Sequence, residues 1–247
     1  MRHLLIALAL LAAAPLRAAD VARAVADLMR DGPELTGVPF ADVVHAATGR
    51  RVIPLAPTNT ADARLLAHIG RAMDAVLRRL NAPDSPAHAK RRINEVSALF
   101  ENALQTELNT IDGFTCDFAP TAAGPRQRSG YPDLRLRDRA TGRTLYLDPK
   151  LYEHGHHDST LRTFYYEPKR DTNKILEDAH HLIAAFAHDG QTNGHWQFLH
   201  WQLVDLAHFR VRLKAEFQAS NRDLYRPEAT LLRSTNTPAP PGENLKR

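Results

Sequence analysis

The sequence predicts an α/β fold in which a mixed central sheet is flanked by helices, with a helical extension at the N-terminus. Three observations predict it. Apolar side chains recur at helical spacing between residues 87 and 110, the period then switches to strict alternation, and a second amphipathic stretch at 172–188 is followed by further strand-like runs. Helix, three-stranded meander, helix and strands in that order bury one mixed sheet between helical layers.

Arg2 and His3 precede an apolar run from Leu4 to Ala14, and the small residues Ala18 and Ala19 follow, so residues 1–19 read as an export signal. The run is too short to span a bilayer. A buried N-terminal helix is the alternative. Export implies a periplasmic or secreted bacterial protein without stable membrane association once the signal is removed. The single Cys116 excludes an internal disulfide and a thiolate metal cluster. A formal charge of +4 permits a polyanionic partner without demanding one.

Residues 20–86 form the helical extension. Alanine-rich amphipathic stretches at Val21 to Arg30 and Asp62 to Leu80 are joined through Pro33, Pro39, Pro54 and Pro57, and no chemistry is visible there. The break Asn81-Ala82-Pro83-Asp84-Ser85-Pro86 opens the main domain, residues 87–233. Its first helix, Ala87 to Thr110, carries Ile93, Val96, Phe100, Leu104 and Leu108 on one buried face. After Gly113 come a strand through Phe114, Cys116 and Phe118, then two strand-like runs, Tyr131 to Arg137 and Thr144 to Tyr152, closed into a hairpin by Ala140-Thr141-Gly142. A helix at Thr172 to His188, a strand at Trp196 to Leu206 and an alternating run from Phe209 to Phe217 complete the domain. Residues 234–247, with Pro238, Pro240 and Pro241, read as a disordered tail.

In the second hairpin strand Leu145, Leu147, Pro149 and Leu151 point one way, and Tyr146, Asp148, Lys150 and Tyr152 the other. Antiparallel pairing with the preceding strand brings Asp133 close to Asp148, so that two carboxylates and an ammonium converge. Adjacent carboxylates repel unless a cation sits between them, and hard Mg²⁺ suits their oxygens. Such a metal polarises a phosphoryl oxygen and generates a hydroxide nucleophile, while a neighbouring lysine orients water or offsets phosphorane charge. Phosphodiester hydrolysis is the chemistry that needs this set. Pro149 removes a backbone donor and weighs against a central position for its strand.

Tyr131-Pro132-Asp133-Leu134, followed after fourteen residues by Asp148-Pro149-Lys150, resembles the signature of the PD-(D/E)XK, or restriction-endonuclease-like, nucleases. The resemblance covers roughly Arg92 to Phe217, and the order of elements is similar to that family's core. It implies an endonuclease acting on DNA with Mg²⁺ or Mn²⁺, with Asp133 and Asp148 as metal ligands and Lys150 positioning the attacking water. It also implies a glutamate on the helix before the meander, either Glu101, at the commoner distance from the helix-ending glycine, or Glu95. Double-stranded DNA is the favoured substrate, RNA stays open, and a homodimer is compatible with cutting both strands.

Further basic and aromatic residues could grip nucleic acid: Arg162, Tyr165, Lys169 and Arg170 in one mixed run, Lys174 near the expected helix start, and Arg210 and Arg212 on one face of the last run. For the mixed run the alternative is a strand edge with its aromatics in the core, and for the others a plain solvated face. Glu153-His154-Gly155-His156-His157-Asp158 admits a zinc-dependent periplasmic hydrolase as a rival, although ligands so crowded seldom share one metal. His180 and His181 are expected on a helix, one packed and one exposed. A catalytically inactive nucleic-acid binder on the same fold and a helical scaffold are the other rivals.

Overall fold

The computed structural model describes residues 23, 25–27, 35–124, 127–156, 159, 164–214 and 218–232. The expected signal, residues 1–19, and the expected tail, residues 234–247, lie outside them. The chain divides into two units, one spanning Thr36–Arg212 and the other combining Met1–Leu35 with Leu213–Arg247. In the second unit Arg23 and Val25 to Asp27 are helical, and the Leu213 N–H donates to the Leu35 carbonyl.

Among its described residues the first unit holds three α-helices, α1 (Phe40–Thr48), α2 (Thr60–Leu80) and α3 (Ile93–Asn109). Its strands are β1 (Val38–Pro39), β2 (Phe114–Phe118), β3 (Leu134–Asp138), β4 (Arg143–Glu153), β5 (His180–Thr192), β6 (His195–Asp205) and β7 (Arg210–Val211). Strands β2 to β6 make a five-stranded sheet in sequence order, antiparallel except for the parallel pair β4 and β5, while β1 and β7 form a separate two-stranded ladder. The β3–β4 turn is tied by Asp138, whose carboxylate accepts from the Ala140 N–H and the Thr141 hydroxyl, and Gly142 supplies the left-handed backbone at φ 70°.

Asn59 starts α2 by accepting from the backbone N–H groups of Ala61 and Asp62. The buried stripe Leu65, Ile69, Met73, Val76 and Leu80 then packs with Val96, Phe100, Leu104 and Leu108 of α3 onto Leu134, Leu136, Leu145 and Leu147 of the sheet. Helix α2, from the expected extension, thus shares one core with the sheet. A second core covers the opposite face, where Phe40 and Val44 of α1 meet Tyr131, Tyr146, Ile175, Ala179 and Leu206. With both faces buried, β4 alternates between the two cores.

Five expectations need correction. The segment expected as a helix, Thr172 to His188, is non-helical up to Asp178, and its second half is β5, with Tyr146 beside His181 and Lys150 beside Ala185. A strand covered on both faces reads as a continuous apolar run, which periodicity cannot distinguish from a buried helix. His180 and His181 therefore point to opposite faces, and both are buried. The helix expected from Ala87 begins only at Ile93, behind a 3₁₀ turn at Pro86–Ala89. Of the alternating run Phe209 to Phe217, only Arg210–Val211 forms a strand, and residues 215–217 lie outside the described set. Pro149 does sit in a central strand, but at a rung past Leu147, where β3 has already ended.

Candidate active site

The last rung of the β3–β4 ladder pairs Leu134 with Leu147. Asp133 and Asp148 are the next residue on each strand, opposite one another where the ladder has stopped. Asp133 is held by its carbonyl, which accepts from the Ala119 N–H at 3.0 Å. Asp148 is 2% exposed; its Oδ2 is ion-paired with the Lys150 ammonium yet lacks a sound hydrogen bond. Two residues apart on β4, Asp148 and Lys150 share a face by the period-two rule.

The electrostatics follow from this crowding. Burial, then the charge of Asp148, pushes the Asp133 pKa up to about 8, against the pull of Lys150; a hydrogen bond between the two carboxyl groups acts the same way. Lys150 is held above the ordinary lysine value: burial opposes its charge, but Asp148, Asp133 and Glu101 together outweigh that. The metal-free pair therefore holds a proton that a divalent cation would displace.

Of the two candidate glutamates, α3 brings Glu101 to the site and leaves Glu95 away from it. Glu101 acts electrostatically on Asp133, Lys150 and Lys174, and accepts from Arg128 at 2.9 Å. Arg128 in turn lies over the Phe118 ring. Glu95 is in the first turn of α3 and pairs with Arg92 at 2.9 Å.

The expected DNA contacts divide. Tyr165, Lys169, Arg170, Arg210 and Arg212 are exposed, although Tyr165 and Lys169 both bond to Glu167 and Arg210 donates to the Gly37 carbonyl. Arg162 lies outside the described residues. Lys174 is not on the surface: it is 2% exposed, and its ammonium donates to the carbonyls of Arg128, Gly130 and Pro132. Three backbone acceptors consume its three donors, which leaves nothing for a phosphate.

The donor set fits a hard cation. Asp148 Oδ2 is a buried carboxyl oxygen with the Lys150 ammonium beside it, and Asp133 faces it. Among the described residues, no three His, Cys, Asp or Glu side chains are arranged to hold a metal. The protein thus offers two carboxylates rather than a closed cage, as Mg²⁺ sites completed by water and substrate phosphate do. The histidine loop gives no zinc site among those residues: His156 pairs with Glu153, His154 stacks edge-on to His200, and His157 and Asp158 lie outside them.

The model of the type II restriction enzyme MjaV family matches residues 34–228. The chain belongs to that family. A relative from Methanocaldococcus jannaschii, the type II restriction enzyme MjaV, is 25% identical over 201 residues, covering 77% of this chain and 86% of the relative. For this MjaV-family chain, the matched span contains Glu101, Asp133, Asp148 and Lys150.

Beneath the acidic pair lies a contact that no sequence pattern announces. The Tyr131 hydroxyl and His181 Nδ1 are 2.7 Å apart and buried, with the rings stacked. Tyr131 is two residues before Asp133, so this contact and Lys174 both hold the segment that delivers the carboxylate.

Proposed function

We propose that this chain is a divalent-metal-dependent endodeoxyribonuclease of the PD-(D/E)XK type, hydrolysing phosphodiester bonds in double-stranded DNA with Mg²⁺ or Mn²⁺. The observation that carries the reading is the pair of half-buried Asp133 and buried Asp148 at the end of a ladder, with Lys150 ion-paired beside it. The family match and the relative named as a type II restriction enzyme support DNA as the substrate.

A cation held by Asp133 and Asp148 would supply charge against the phosphoryl oxygens and acidify the attacking water. Lys150, whose neighbours hold its pKa high, stays an ammonium at neutral pH, so it serves as a hydrogen-bond donor and not as a base. It orients the water and offsets charge on the phosphorane. Glu101 supplies a further carboxylate to receive a water hydrogen. The exposed Tyr165, Lys169, Arg170, Arg210 and Arg212, together with Arg162, grip the DNA backbone. Two copies are proposed to act together when both strands are cut, and residues 1–19 to direct export.

The test is cleavage of supercoiled plasmid by purified protein with Mg²⁺, Mn²⁺ or EDTA, alongside Asp148→Ala and Lys150→Ala. Metal-dependent cutting that both substitutions abolish supports the reading. No cutting by folded wild-type protein with either metal refutes it.

A further inference from the structure

Lys174 is a large side chain with almost no exposure, an unusual place for a lysine. Its ammonium donates to Gly130 at 2.8 Å, Pro132 at 3.1 Å and Arg128 at 3.3 Å, alternate carbonyls of the segment that runs into Asp133. That segment precedes β3 and has no ladder of its own, and Pro132 brings no N–H to one. Its carbonyls need donors, and a lysine supplies three on one atom.

Lys174 is itself anchored from two sides. The Tyr146 hydroxyl, on β4 two residues before Asp148, accepts from the backbone N–H groups of Leu176 and Glu177. The N–H groups of Ala122 and Ala123 donate to the carbonyls of Asn173 and Asp171. A continuous set of contacts thus runs from β4, which carries Asp148, through Lys174, to the backbone of Pro132 beside Asp133.

We propose that Lys174 is a positioning residue, whose ammonium fixes the backbone before Asp133 relative to β4 and so sets the spacing of the two carboxylates. It rests on the nuclease reading given above. The charge has a second effect: Asp133, Asp148 and Glu101 all favour it, while burial draws its pKa below the ordinary lysine value. Lysines 150 and 174 and Arg128 with a divalent cation would leave three carboxylates two positive charges in excess, which a phosphodiester backbone offsets.

The experiment compares the full chain with Lys174→Gln, which keeps an amide donor, and Lys174→Met, which keeps only the shape. Plasmid cleavage is followed over DNA concentration at saturating Mg²⁺, well below each melting transition, and amide hydrogen exchange is measured on the metal-free proteins. In either folded variant kcat falls about 10- to 100-fold, KM stays near the wild-type value, and exchange rises across residues 128–133 but not in β5. Wild-type kcat in a folded variant overturns the proposal, as does a raised KM with kcat retained, which would make Lys174 a DNA contact. Failure of both variants to fold also overturns it, since the lysine would then be only a piece of the core. If the wild-type chain cuts nothing, the nuclease reading fails, and exchange in residues 128–133 decides the role of Lys174 alone: unchanged exchange refutes it and increased exchange supports it.

Discussion

Asp133 and Asp148 face each other one rung beyond the Leu134–Leu147 pair, where the β3–β4 ladder has ended and backbone bonding no longer fills the gap between the strands. The hairpin brings the half-buried Asp133 and the buried Asp148 together, and Lys150 neutralises only part of their charge. The metal-free protein is therefore under electrostatic load at this point, and the load depends on pH.

The first prediction follows from the sign of that dependence. The Asp133 pKa rises from 3.8 to about 8 on folding, so the folded protein holds a proton that the unfolded chain has lost. The stability this contributes is fully present below pH 3.8 and is lost as the pH rises through 8. In EDTA, Asp133→Asn should be more stable than wild type at pH 9 by a few kcal/mol, at about 1.4 kcal/mol per pH unit, and should lose that advantage near pH 4. Urea denaturation at the two pH values measures it, and an equal difference at both would mean that the carboxyl pair is not the source.

Lys150 gives the second prediction. Removing an ammonium from among three carboxylates leaves more negative charge to attract a cation, yet takes away the donor aimed at the developing phosphorane charge. Lys150→Ala should bind Mn²⁺ more tightly by calorimetry than wild type, and should cleave plasmid about 100- to 1,000-fold more slowly. Weaker Mn²⁺ binding in the variant would place the lysine in the cation's support instead.

The two candidate glutamates of α3 separate cleanly. Glu101→Gln should slow cleavage about 10- to 100-fold, because its charge reaches Asp133, Lys150 and Lys174. Glu95→Gln should cut at the wild-type rate, since its partner is Arg92 at the exposed start of the helix. Parallel turnover measurements decide between them.

The hairpin and its acidic pair were legible in the sequence because local chemistry fixes the register: a short link tied by Asp138 and Gly142 leaves one pairing, and that pairing sets Asp133 against Asp148. Strand β5 was not legible. The run His180 to His188 is apolar on both faces, and the crossover before it, among its described residues, contains no helix to mark a βαβ unit. Lys174 was hidden for another reason. Its partners are backbone carbonyls 42 to 46 residues earlier, and a carbonyl has no letter in the sequence. It looked like a surface lysine because most lysines are.

The last prediction concerns the Tyr131–His181 pair behind Asp133. Burial first, and then His180, drives the His181 pKa down to about 3, so the folded protein refuses a proton that the unfolded chain accepts below its ordinary value of 6.5. The resulting stability is present above pH 6.5 and is lost as the pH falls through 3, on the order of 4 kcal/mol at the acid end. His181→Gln should flatten the acid limb of the stability profile between those values. Tyr131→Phe should instead lower stability by about 1–3 kcal/mol at every pH tested, because it strips a buried imidazole nitrogen of its partner without removing the titrating group. Thermal melts from pH 4 to pH 8 in EDTA distinguish the two. If His181→Gln keeps the wild-type acid limb, the acid sensitivity belongs to other groups. If Tyr131→Phe also slows cleavage while its melting stays cooperative, the pair, like Lys174, holds the backbone that presents Asp133.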